Sequence, residues 1–147
     1  NIRLTKEFKF EMAHALWNYD GLCRNLHGHS YILRVTVIGQ PIADANHVKC
    51  GMVMAFGDLK TIVKDEILDP MDHSIVINKI APASMVAALP QMGERLHVVP
   101  YQPTCENLLV DFAQRIKKRL PANVKLHSLR LHETASSYGE WFASDNE

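Results

Sequence analysis

Along the first dozen residues, apolar and polar positions alternate: Leu4, Phe8, Phe10 and Met12 fall on one side, Thr5, Glu7, Lys9 and Glu11 on the other. A period of two marks a half-buried strand, because successive side chains of an extended backbone point to opposite faces. The alternation returns from His29 to Ile38, with Tyr31, Leu33, Val35 and Val37 on one face and Ser30, Arg34 and Thr36 among the other, and again from Val124 to Glu133. Tyr138 to Phe142 reads as one more short strand, and Gly51 to Phe56 as another. Asp58 is predicted to cap a helix in which Leu59, Ile62, Val63 and Ile67 share a face until Pro70 stops it. Thr104 is predicted to cap a second helix with the stripe Leu108, Leu109, Phe112, Ala113, Ile116 and Leu120, ending at Pro121. Trp17 to Leu26 is irregular, and Pro70 to Asn78 reads as a loop running into extended chain. Lys79 to Pro103, with four prolines, reads as connections with one helical turn around Ser84 to Leu89.

The order β-β-(β)-α-loop-α-β-β lacks regular βαβ crossovers and predicts an antiparallel α+β sheet with helices on one face. A length of 147 residues fits one domain over residues 1–147. Sixteen Lys and Arg balance sixteen Asp and Glu, so no net field draws the chain to nucleic acid or to an anionic membrane, and neither is expected as a partner. No glycine-rich phosphate loop is present, so an anionic ligand must be held by a local site. Three cysteines without a CxxC pair, no secretory leader pattern and no apolar run long enough to span a bilayer lead to the expectation of a cytoplasmic protein.

Eight histidines are many for so short a chain. His27 and His29 flank Gly28 at the start of a strand, which would put both imidazoles on one face about 6–7 Å apart. His14 shares the parity of Phe10 and Met12, and supplies a third imidazole if the two strands are neighbours. Three imidazoles without a fourth protein ligand are the pattern of a catalytic zinc site with an open position, although iron and other divalent ions also accept imidazole. The alternative is a set of structural histidines. Cys23 lies four residues before His27, where a metal would favour its thiolate; the alternative is an inert thiol, the stronger reading for Cys50 and Cys105. In Asp72-His73 a carboxylate can orient an imidazole, or the pair is a solvated turn. Glu133 ends a strand, where a carboxylate can accept paired hydrogen bonds from an amidine-like edge or simply be solvated. Glu106 first suits the positive end of a helix dipole. His47, His97, His127 and His132 read as structural or surface residues.

Taken in order, Cys23-Arg24-Asn25-Leu26-His27-Gly28-His29, Gly51-Met52-Val53, Asp72-His73 with Asn78, Pro103-Thr104-Cys105-Glu106-Asn107 and Glu133-Thr134, together with His14, resemble the 6-pyruvoyl-tetrahydropterin synthase family over nearly the whole chain. The Cys-x3-His-Gly-His form looks most like its queuosine-pathway branch, the 6-carboxy-tetrahydropterin synthases. The resemblance implies a tunnelling fold: a four-stranded antiparallel sheet backed by two helices, closed into a trimeric barrel and stacked into a homohexamer with pockets between subunits. It implies that His14, His27 and His29 hold Zn2+, that Cys23 is the catalytic base and that Asp72 with His73 relays protons. It further implies that Glu133 anchors the 2-amino-pyrimidine edge of a pterin, with Thr104 and Glu106 lining the pocket.

The implied substrate is 7,8-dihydroneopterin triphosphate, cut to 6-carboxy-tetrahydropterin, acetaldehyde and triphosphate without an external redox cofactor. The biopterin branch of the family keeps the three-carbon side chain instead. A non-catalytic metal- and pterin-binding protein is the alternative of another class, and an unrelated zinc hydrolase would leave Glu133-Thr134 unexplained. Two positions depart from the family pattern: Leu22 stands where a lysine is frequent, leaving Arg24 or Arg34 to meet the triphosphate, and Ala55 stands where an aspartate is usual.

Overall fold

Long alternating segments pair over their full length when the turn between them is free to adapt, and the first two strands do so. The computed structural model describes residues 1–93 and 95–147. In it β1 (Ile2–Ala15) and β2 (His27–Gly39) run antiparallel in one unbroken register, from Ile2 opposite Gly39 to His14 opposite His27. The remaining strands are β3 (Ser74–Asn78), β4 (Leu96–Val99), β5 (Val124–His132) and β6 (Tyr138–Phe142), in the spatial order β4-β3-β1-β2-β5-β6.

The sheet is therefore six-stranded and mixed, where four antiparallel strands were expected. The antiparallel part β1-β2-β5-β6 is as expected, and β3 and β4 extend it through two parallel pairings, β1 with β3 and β3 with β4. Burial explains β3, whose Val76 and Ile77 are both buried. A strand covered on both faces shows no alternation to read. β4 is only four residues long among prolines, and its pairing to β3 from Ile75 opposite Leu96 gives it an order that its local sequence does not dictate.

Gly51 to Phe56 does not form a strand. Gly51 takes φ of +82° in a turn, and backbone bonds join Ile42 to Gly51 and Met52 before the chain enters α1 (Phe56–Val63). The observed N-cap lies three residues before the expected one. Ala55 occupies the N-cap without a side-chain hydrogen bond, while Asp58 lies in the first turn and pairs with Lys49.

Pro70 does not end the helical run either. After α1 the chain widens into a π turn (Lys64–Leu68) and closes with α2 (Asp69–Met71), Asp69 N–H reaching back to the Lys64 carbonyl. Proline has no N–H to offer the carbonyl four residues earlier; here that carbonyl, of Glu66, accepts instead from the Arg115 guanidinium at 3.2 Å. In the middle segment α3 (Ala83–Ala88) matches the expected helical turn and runs on into a 3-10 turn (Leu89–Met92).

The second long helix, α4 (Cys105–Lys117), is capped as expected: Thr104 Oγ1 accepts from Asn107 N–H at 3.2 Å. Its buried stripe Leu108, Leu109, Phe112, Ala113 and Ile116 joins Leu59, Ile62, Val63 and Ile67 and the inner-face residues Phe8, Phe10, Tyr31, Leu33, Leu129 and Leu131 in one core. Glu7, Glu11, Ser30 and Arg34, on the other face, stay exposed. Among the described residues no helix is long and apolar enough to cross a membrane.

Candidate metal centre and adjoining pocket

The register of β1 on β2 places His14 directly opposite His27, and His29 two residues further along β2 on the same face. The three imidazoles converge, each offering a ring nitrogen within 4.8 Å of the others. His14 is 1% exposed, and its ring packs edge-on against His29 with centroids 5.2 Å apart.

Backbone carbonyls fix the tautomers of two of these rings. His14 Nδ1 lies 2.7 Å from the Pro103 carbonyl and His27 Nδ1 lies 2.6 Å from the Asn25 carbonyl. A carbonyl only accepts, so each Nδ1 carries the proton and each Nε2 presents a lone pair. The two Nε2 atoms then face each other at 3.1 Å, and the buried Nε2 of His29 has no hydrogen-bond partner among the described residues. Lone pairs gathered in this way form a donor set that suits a cation. Burial, the largest cause in each case, pushes the pKa of His14 and of His29 down, which keeps both rings neutral. Neutral imidazoles with Nδ1 tied to carbonyls are the donor set of a divalent ion such as zinc, so the residues fit the group that the resemblance implies.

The segment before α4 is docked onto this cluster. Besides the Pro103 carbonyl on His14, Gln102 donates to the Trp17 carbonyl at 2.9 Å and receives the Asn78 amide at 3.3 Å. The Pro103-to-Asn107 motif and Asn78 thus hold the helix N-terminus against the ends of β1 and β3.

Glu133 stands beside the imidazoles, at the end of β5. Its Oε1 is 3.7 Å from His14 Nε2 and 3.7 Å from His29 Nε2. It also lines a hollow of about 210 Å³ with Cys105, Glu106, Ser137, Tyr138 and Gly139. The hollow brings the expected Glu133 and Glu106 together, and two carboxylates there suit a ligand edge rich in N–H donors. Gly139 packs closely against α4: a Cβ there would sit 2.9 Å from Leu109 Cδ1 and 3.2 Å from Cys105 Sγ. Thr104 is not among the lining residues, and its hydroxyl is engaged in capping α4.

Cys23 is exposed in a 3-10 turn (Leu22–Arg24), and its carbonyl accepts from Leu16 N–H, which ties the irregular strap to the end of β1. Its sulfur is not one of the atoms gathered with the three imidazoles.

Asp72 and His73 bond to each other, Nδ1 to Oδ1 at 2.9 Å. Neighbours in sequence make this bond because His73 adopts the left-handed conformation, φ +58°. That conformation is held from β1, since His73 N–H donates to the Glu11 carbonyl and Glu11 N–H donates to Asp72 Oδ1, and from Arg95, which donates to the Asp72 carbonyl. His73 of the dyad opens on a cleft of about 610 Å³ that Glu11, Ala13 and Ser30 line together with His29. By strand alternation the side chains of Glu11, Ala13 and Ser30 belong to the face opposite the rings of His14 and His29, and the Asp72–His73 dyad is not among the groups gathered with the three imidazoles.

Tyr31, which the alternation places on one strand face with Leu33, Val35 and Val37, also belongs to the surroundings of the imidazoles. Its ring stacks on Phe10 with centroids 5.0 Å apart and meets the edge of His29 at 5.6 Å, while its buried hydroxyl has no partner among the described residues. Burial first, then the charge of Glu133, raises its pKa, so the hydroxyl stays a donor. The available signal was parity, since Tyr31 continues the face that carries His27 and His29.

Among solved structures, an uncharacterised protein from Wolinella succinogenes superposes with a TM-score of 0.75 at 22% identity, covering 97% of this chain and 98% of that one. The 6-pyruvoyl tetrahydropterin synthase of Caenorhabditis elegans superposes with a TM-score of 0.67 at 20% identity, covering 97% and 95%. By sequence, the chain is 36% identical to a 6-carboxy-5,6,7,8-tetrahydropterin synthase of Haemophilus influenzae over 95% of its own length and 97% of the relative's. It is 31% identical to the Aquifex aeolicus protein of the same name, over 94% and 96%. It is also 30% identical to a dihydroneopterin monophosphate aldolase of Pyrococcus furiosus, over 89% of each. Residues 3–143 match the family described as 6-pyruvoyl tetrahydropterin synthase, and with this match spanning nearly the whole chain the protein belongs to that family.

Proposed function

We propose that the protein converts 7,8-dihydroneopterin triphosphate and water to 6-carboxy-5,6,7,8-tetrahydropterin, acetaldehyde and triphosphate, as a zinc-dependent enzyme of the cytoplasm supplying 7-deazapurine (queuosine) synthesis. The observation that carries the reading is the convergence of three neutral imidazoles beside the Glu133 carboxylate in a chain with relatives named for this product.

His14, His27 and His29 are the residues that would hold the metal. When bound, it supplies a positive charge that lowers the cost of deprotonating the side-chain hydroxyls of the substrate. Glu133 takes the 2-amino-pyrimidine edge through two parallel N–H···O bonds, with Glu106 beside it and Thr104 fixing the helix end that frames the pocket. Cys23, on the exposed strap, takes a proton from the substrate side chain as general base. His73, oriented by Asp72, returns a proton on the opposite side.

Because the dyad lies on the other face of the sheet from the imidazoles of its own chain, it serves the pocket of a neighbouring subunit. We accordingly assign the protein to a homohexamer, a dimer of trimers, with sites between subunits.

Mass-spectrometric product analysis of zinc-loaded protein given the triphosphate tests the reaction. 6-Carboxy-tetrahydropterin with acetaldehyde is expected. A three-carbon pyruvoyl product would move the protein to the biopterin branch, and turnover of the monophosphate alone would move it to the aldolase reading that the Pyrococcus relative raises. Untouched substrate on a metal-loaded protein would make it a pterin-binding protein without catalysis.

A further inference from the structure

A metal held by three imidazoles has a fourth position, and a side chain of this protein is already beside it. Glu133 Oε1 lies 3.7 Å from both His14 Nε2 and His29 Nε2, while His14 Nε2 and His27 Nε2 are 3.1 Å apart. With zinc–donor bonds of 2.0–2.1 Å, neighbouring donors of a tetrahedral site stand about 3.4 Å apart. The carboxylate oxygen is therefore spaced from two imidazoles as a fourth donor would be, to within a few tenths of an ångström. The backbone holds it there: Glu133 N–H and Thr134 N–H both donate to the Ser137 carbonyl, closing a tight turn between β5 and β6. Among the described residues no lysine or arginine is paired with Glu133, and its ion pairs are those to the two histidines.

We propose that Glu133 is the fourth donor of the resting metal centre, and that the ligand edge binding in the hollow draws the carboxylate off the metal and so opens the position for the substrate side chain. The second half rests on the pterin reading above. The two duties of Glu133 exclude each other in time. A carboxylate that donates both oxygens to a pair of N–H groups is not free to coordinate. The open position would then exist only when a correct ring is seated, which protects the metal from stray ligands between turnovers. The same pair of states predicts that metal and ring edge compete for one side chain, so that each weakens the other unless the ligand supplies a replacement oxygen.

Cobalt(II), which reports its coordination number in visible absorption, tests this with the full-length protein. The isosteric Glu133→Gln variant is compared with wild type and with Glu106→Gln, the neighbouring carboxylate in the hollow. Expected are a four-coordinate cobalt spectrum for wild type and Glu106→Gln, a changed spectrum for Glu133→Gln, and cobalt affinity at least tenfold weaker in that variant by chelator competition. Circular dichroism of the metal-free variant checks that it folds; if it does not, Glu133→Asp, whose shorter arm pulls the oxygen back, must give the same spectral change. Adding 6-methylpterin, which has the ring edge but no side-chain hydroxyl, is expected to move the wild-type spectrum and leave that of Glu133→Gln unmoved. Identical spectra and affinities in Glu133→Gln and wild type would overturn the proposal, as would a wild-type spectrum unmoved by 6-methylpterin that fluorescence shows to be bound. Failure of 6-methylpterin to bind at all would overturn the gating half together with the pterin reading, while the cobalt comparison still decides whether Glu133 is a donor.

Discussion

His97, on β4, is half-buried between the Arg115 guanidinium and the Asp111 carboxylate of α4. Burial, helped by the Arg115 charge and opposed by Asp111, holds its pKa below the ordinary 6.5. The unfolded chain therefore binds a proton at this position at higher pH than the folded chain does, and the stability it contributes is complete above about pH 6.5 and is lost as pH falls through the folded value. Thermal unfolding of the metal-free protein between pH 7.5 and 5.5 should show a falling midpoint, with a smaller fall in His97→Asn. Burial also governs the cysteines: the half-buried Cys105 thiol is pushed up to about 11, which makes it unreactive near neutrality. At this scale the sequence was legible where parity alone decided the outcome. His14, His27 and His29 could be placed on one face from alternation, and the strand register then did what alternation required. It was not legible where a partner came from far along the chain. The Pro103 carbonyl on His14 and the Arg95 guanidinium on Asp72 are contacts across 89 and 23 positions, which no local pattern announces.

The bare N-cap of α1 is a defect with a simple repair. Ala55 has extended backbone, φ −72° and ψ 136°, and no side-chain acceptor for the free N–H groups of the first turn. Ala55→Asp should raise unfolding stability by about 0.5–2 kcal/mol, measured in denaturant titrations at unchanged m-value. Reading Asp58 as the cap shows how an acidic residue in a first turn imitates one at the cap, since both answer the same helix dipole. Pro70 misled for a related reason. A proline stops a regular helix, but a π turn upstream displaces the clash, and a guanidinium from α4 supplies the donor that the ring cannot. Helices with an amphipathic stripe and a true cap, such as α4, were readable to within a few residues, whereas β4 depends wholly on the strand beside it.

In the proposed homohexamer, the placement of Cys23 near the imidazole end of β1 and β2 and of His73 on the opposite face makes a definite demand on how subunits share a site. Cys23→Ala and His73→Ala homo-oligomers should each be inactive. Subunits of the two, mixed by reversible dissociation, should recover roughly one quarter of wild-type turnover, because that fraction of interfaces pairs an intact residue from each side. Recovery of nothing would place both residues in one subunit's pocket. The formal charge of zero fits such packing, since no large self-repulsion opposes stacking identical chains.

His14 and His27 are cross-strand partners at the last rung of the β1–β2 ladder. An ion held between them would do more than supply charge, because it would act as a clasp on the segment from Leu16 to Leu26. Without it that segment is a loop whose mouth frays with the strand ends; with it the mouth would be shut by bonds of fixed length, and the loop would give up much of its conformational freedom. Metal content should thus be readable in the rate at which a protease cuts between Trp17 and Leu26, slow in loaded protein and rapid after chelation, long before any global unfolding.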